Sequence, residues 1–143
     1  MKLLARLMCF LGLVSATHAD DRALHEGECW SYASRPGEES SFLVIRKLEH
    51  HEHGNTAHIS VFGLHIANSS APKGYTDEIG HLPITVDSLR ASLRERLTRT
   101  PPDCDWQQGY KMWQEAGAPA FTEPLKECIR FVEETIAHGC KEA

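Results

Sequence analysis

Apolar residues fall along this chain in three successive patterns, and each predicts a different kind of segment. The first is a continuous run. Leu7 to Val14 follows the basic opening Met1-Lys2-Leu3-Leu4-Ala5-Arg6, and the small residues Ser15-Ala16-Thr17-His18-Ala19 close it. That order reads as a secretory signal peptide over 1–19, cleaved before Asp20, with a single globular domain over 20–143. The run is far shorter than the roughly 18 apolar residues a membrane helix needs, and no later segment approaches that length. The expectation is an exported protein, periplasmic or secreted, with no membrane insertion after signal cleavage.

The second pattern has period two. Glu28 to Ala33 places Trp30 and Tyr32 on one face, and Arg35-Pro36-Gly37-Glu38 carries the Pro-Gly signature of a type II turn. Ser41 to Glu49 is rich in β formers, with Phe42, Leu43, Val44 and Ile45 apolar on both faces, so it predicts a central strand. His50 to Asn55 reads as a polar loop, and Ala57 to Ile66 returns as the second strand of a hairpin. Ile79 to Ile84 predicts a short edge strand, because Pro83 is tolerated only at an edge.

The third pattern is helical. Thr85 is a good N-cap, and Leu89, Leu93 and Leu97 repeat at i+4, which predicts a helix ended by Pro101-Pro102. Asp103 or Asp105 caps a second helix, with Trp106, Tyr110 and Trp113 on one face and Gly117 as its stop. A third begins at Thr122 and carries the stripe Leu125, Cys128, Ile129, Val132 and Ile136, with Gly139 at its end. Strands first and helices afterwards predict an α+β fold: a small antiparallel sheet of three to four strands followed by three helices packed on it.

Composition changes the picture in two ways. Removing 19 residues from 143 leaves 124, enough for one domain with a real core. That domain keeps thirteen Lys/Arg against twenty Asp/Glu, a net charge of −7 with His neutral. Such a balance argues against nucleic acid and against anionic membranes, which both favour Lys/Arg clusters.

Cys9 leaves with the signal, and Cys29, Cys104, Cys128 and Cys140 remain, an even number suited to an oxidising compartment. Cys128 and Cys140 stand twelve residues apart in one predicted helix. That separation is about 18 Å at the helical rise, whereas a disulfide needs Cα atoms within about 7 Å. Two pairings remain: Cys29–Cys128 with Cys104–Cys140, or Cys29–Cys140 with Cys104–Cys128. The first is preferred, because Cys128 lies on the apolar face of its helix. Each bridge would stabilise by about 2–4 kcal/mol.

Candidate chemistry centres on histidine. His50, His51 and His53 crowd the hairpin tip with His58 nearby, and imidazoles so placed are candidate ligands for Zn or Cu. His58 and His65 face opposite sides of one strand, while His81 reaches one or the other if its strand pairs back. The turn residues Arg35, Glu38 and Glu39, with His50 and His51, form a candidate surface for a protein partner. Trp106, Tyr110 and Trp113, with Trp30 and Tyr32, either line a ligand groove or form a packed face; the packed face is the simpler reading. No G-x-S-x-G, S-x-x-K or H-E-x-x-H motif occurs, and there is no Gly-rich phosphate loop, so no catalytic residue is assigned.

Several short motifs run through most of 20–143: Trp30-x-Tyr32, Arg35-Pro36-Gly37-Glu38, His58-Ile59-x-Val61-x-Gly63-Leu64, His81-x-Pro83, Gly109-Tyr110-x-x-Trp113 and Phe121-Thr122. Together they resemble a family of small, uncharacterised bacterial proteins. The resemblance implies a bacterial domain and no activity, ligand or catalytic residue, and the four cysteines are not part of its pattern.

These readings converge on a non-enzymatic binding or inhibitor-type protein of the periplasm that contacts a protein partner and needs no cofactor. The alternatives are a metal-binding protein using the His-rich hairpin and, third, a small hydrolase with His58 or His81 as base.

Overall fold

The computed structural model describes residues 23–142, with side chains through 139. The predicted signal peptide lies outside the described residues.

Four consecutive strands form a meander: β1 (Cys29–Tyr32), β2 (Phe42–His51), β3 (Gly54–Ala67) and β4 (Tyr75–Thr85). Helix α1 (Val86–Ser92) then carries the chain to the far edge, where β5 (Leu93–Leu97) pairs with β1. The result is one antiparallel sheet of five strands in the order β4-β3-β2-β1-β5. Helices α2 (Trp106–Ala116) and α3 (Leu125–Glu142) complete an α+β fold.

Alternation along the strands sorts side chains onto two unlike faces. On one, Trp30, Leu43, Ile45, Ile59, Val61, Leu82 and Ile84 are buried against Leu89 of α1 and Leu125, Cys128 and Ile129 of α3. This is the main core, and the predicted stripe of α3 supplies its cover. The other face begins with a small apolar cluster of Cys29, Phe42 and Val44 at one end. It continues through Arg46, Ser60, His58 and His81, beneath α2 and the segment that leads into it.

Four local expectations need correction. The sheet has five strands, not three to four, because Leu93–Leu97 is a strand rather than the second half of a helix. A spacing of four satisfies period two as well as a helical turn, and the open edge of β1 decides the matter through Cys29↔Leu97, Trp30↔Arg96 and Tyr32↔Leu93. The polar stretch His50 to Asn55 is mostly ladder: His50↔Asn55 and His51↔Gly54 pair, leaving Glu52 and His53 as the turn. There the hairpin projects past the core, so backbone hydrogen bonds persist where the apolar signal has ended. Gly139 lies inside α3 rather than ending it. Finally, α2 covers the polar face and has no fully buried residue.

Two glycines are dictated by contact. Gly63 has φ +74 at an irregularity in β3, where a Cβ would come within 3.1 Å of the Ser41 backbone. Gly109 lets α2 lie on β4, since a Cβ there would sit 2.7 Å from His81 Cβ.

Candidate functional site

The polar face carries the densest group of ionisable side chains. A register irregularity between Ile45 and Lys47 turns Lys47 and Glu49 of β2 to the same side as His58 of β3. His58, fully buried, pairs across the ladder with Pro83, two residues beyond His81 on β4. His58 Nε2 hydrogen-bonds Glu49 Oε1, and His58 Nδ1 lies 2.9 Å from His81 Nε2. Helix α2 closes the group from above. Tyr110 donates its hydroxyl to Glu49 Oε2 at 2.8 Å and accepts from Gln114 Nε2 at 2.9 Å. The Tyr110 and Trp113 rings meet His58 edge-on at 4.7 and 4.9 Å, and Lys47 Nζ sits 5.4 Å above the Tyr110 ring.

Protonation states follow from this geometry. An ionised carboxylate only accepts, so His58 Nε2 carries the proton that faces Glu49. Neutral His58 then presents a lone pair at Nδ1, which receives the Nε2–H of His81. The remaining lone pair, at His81 Nδ1, has no partner among the described residues and is not sealed from water. Burial alone would raise the Glu49 carboxyl, but hydrogen bonds from Tyr110 and His58 hold it below the usual carboxylate range. Burial presses His58 down despite the upward pull of Glu49, and burial with the neighbouring His58 presses His81 down to about 4. Burial and Glu49 both push the Tyr110 phenol up.

Chemically this is a chain of oriented hydrogen bonds ending in one open acceptor. A hydrolytic base would need a nucleophile beside it. Among the described residues, His81 meets His58 and the rings of Tyr110 and Trp113, with no serine, threonine or cysteine among these partners.

The predicted metal set is not brought together. His50 bonds Asn55 Oδ1 at 3.2 Å on the opposite side of β2 from His51, His53 occupies the exposed turn, and both nitrogens of His58 are engaged. Among the described residues, no group of three or more His, Cys, Asp or Glu side chains is placed to hold a metal ion.

The predicted partner surface is also redistributed. Glu38 is only 3% exposed, gripped by Arg35 at 2.7 Å through both carboxylate oxygens and by the His65 backbone N–H at 2.6 Å. Arg35 reaches on to Glu133 of α3 at 3.2 Å, and Glu133 accepts the Ala67 N–H at 2.8 Å. Burial would raise the Glu38 carboxyl, but Arg35 and that backbone N–H hold it low. This turn is therefore a clamp between β3 and α3, and of its three charged residues only Glu39 stays exposed.

Neither disulfide pairing forms in this structure: Cys29, Cys104 and Cys128 are free thiols, and the side chain of Cys140 lies outside those described. The reason is the two-faced sheet. Cys29 belongs to the small cluster and Cys104 sits 3.3 Å from Ser60 Oγ, both on the face opposite Cys128 in the main core. Each expected pairing joined Cys128 to Cys29 or to Cys104, and so required a bridge through the sheet. Burial and Glu123 raise the Cys128 thiol to about 11, so it is a poor nucleophile.

Sequence reasoning missed one surface. Phe131 on the outer side of α3 is 55% exposed and meets Phe121 edge-on at 5.7 Å. Beside it a cavity of about 270 Å³ is lined by Phe121, Glu123, Glu127, Cys128, Arg130 and Phe131. Phe131 stands off the stripe assigned to α3, and an apolar residue outside a helix's buried stripe was the available signal. The chain matches no family model, no curated protein and no solved structure.

Proposed function

We propose that this chain is an exported, non-enzymatic binding protein that contacts a protein partner, and that it does so through the groove between Phe121 and Phe131. The observation that carries this reading is the exposed Phe131 at the lip of a preformed cavity. A large apolar side chain held in water beside an open cleft favours association. Elsewhere, Arg35 is engaged with Glu38 and Glu133, Arg46 with Ser60 and Pro102, and Glu49 with His58 and Tyr110.

The occupant is a basic segment carrying one apolar anchor. The cavity has room for a single aromatic or aliphatic side chain. Its rim presents Glu123 and Glu127, and Arg130 is already spanned between Glu127 at 2.9 Å and Glu134 at 2.7 Å. With the net charge of −5 for the whole chain, this favours encounter with Lys- or Arg-rich partners.

The test compares wild type with Phe131→Glu as bait in periplasmic extract, with captured proteins identified by mass spectrometry. A basic protein retained by wild type, lost with Phe131→Glu and weakened by salt supports the reading. Capture of the same proteins by both baits, or by neither, overturns it.

A further inference from the structure

The way α2 is held suggests a property separate from the groove. This helix has no fully buried residue. Its purchase on the sheet is Tyr110 and Trp113 against the His58 and His81 rings, the Tyr110–Glu49 bond, and Gly109 against His81. We infer that the His58–His81 pair makes the docking of α2 acid-labile, so that α2 (Trp106–Ala116) leaves the polar face of the sheet while the β-sheet and α3 stay folded.

The docked pair has a limited capacity for protons. The rings are stacked 5.1 Å apart and share one hydrogen bond, Nδ1 to Nε2 at 2.9 Å. A first added proton is accommodated. His58 becomes imidazolium with one N–H on Glu49 and the other on His81 Nε2, while His81 moves its own proton to the open Nδ1. A second proton must enter His81 Nε2, where it faces an N–H of His58 with no acceptor between them. The docked pair thus holds one added proton, whereas two solvated imidazoles hold two.

The surroundings favour the same limit. From β2 the pair is faced by the carboxylate of Glu49 and by Lys47 and His51, both of which press His58 towards its neutral form. From α2 it is faced by the neutral phenol of Tyr110. Among the described residues only Glu49 favours charge on the pair, and it contacts His58 rather than His81.

Opening therefore takes up at least one proton. As pH falls below the usual imidazole value of about 6.5, the opening constant of α2 should rise about tenfold per pH unit for each proton taken up. The sign is that of a depressed base: docking is complete above the open-state value and is lost as pH falls towards the docked value.

Amide hydrogen exchange of the full chain, corrected for intrinsic rates, between pH 7 and 4.5 reads this directly. The expected result is α2 protection that falls by about tenfold per pH unit while protection in β2 and β3 holds. In His81→Gln, whose side-chain amide keeps a donor for His58 but does not titrate, the α2 slope should vanish. Loss of α2 and β3 protection together, or α2 protection independent of pH, overturns the inference. If His81→Gln fails to fold, the wild-type contrast between α2 and β3 decides alone.

Discussion

The region under α2 and the groove beside α3 both invert the usual placement of side chains, in opposite senses. Under α2, polar and titratable groups are taken out of water, yet each meets a partner: Glu49 with His58 and Tyr110, His58 with His81. Among the described residues no buried side-chain nitrogen or oxygen lacks a hydrogen bond. Beside α3, an apolar ring is left in water with a cavity at its edge. The polar inversion is completed within the molecule, so it accounts for itself as architecture. The apolar inversion is incomplete within the molecule, so it points outward.

The main core lies beneath both regions. Ile129 of α3 is fully buried against the sheet, and Ile129→Ala should cost about 2–5 kcal/mol in chemical denaturation. A loss below about 1 kcal/mol would mean that α3 does not seal the main core.

Next comes the polar region. His58→Leu keeps the volume but strands Glu49 and His81, and should cost about 1–3 kcal/mol by the same measurement. Tyr110→Phe removes the bond to a carboxylate that keeps His58 and the exposed bond from Gln114, so the loss should be smaller, about 0.5–1.5 kcal/mol. Equal losses for the two would show that His58 is not the hub of the network.

Acid sharpens the contrast further. His81 is pressed down to about 4 in the folded protein, so the unfolded chain binds more protons between about 6.5 and 4. Stability measured by denaturation should fall with pH across that window by at most about 1.4 kcal/mol per unit for this group. A flat profile there, or a rise, would contradict the environment described for His81.

The apolar face was readable because its signals are additive and local: Trp30 and Tyr32 at period two, Leu125, Cys128, Ile129 and Val132 at helical spacing, Thr85 as a cap that does accept from Ser88 N. The polar face was not, because its logic is non-local. His58 and His81 each stood out, but their meeting depends on the register of β3 with β4, which no local pattern encodes. Gly109 carries no local signal of the His81 ring beneath it. Arg35 and Glu38 read as part of a partner surface because Glu133, the third member of their network, lies 98 residues from Arg35. The Leu89-Leu93-Leu97 repeat suited two periods at once, and only the open edge of β1 resolved it.

The smallest stability effect belongs to the groove. Phe131→Glu alters an exposed site and should change stability by about 0.5 kcal/mol or less. That makes it the cleanest probe of the central claim, because lost binding cannot then be attributed to lost fold. The measurement is calorimetric titration of wild type and Phe131→Glu with the basic protein captured from periplasmic extract, at low and high salt. Wild type should bind stoichiometrically, more weakly at high salt, and Phe131→Glu should bind about tenfold more weakly or worse. Equal affinity of the two proteins would contradict the claim.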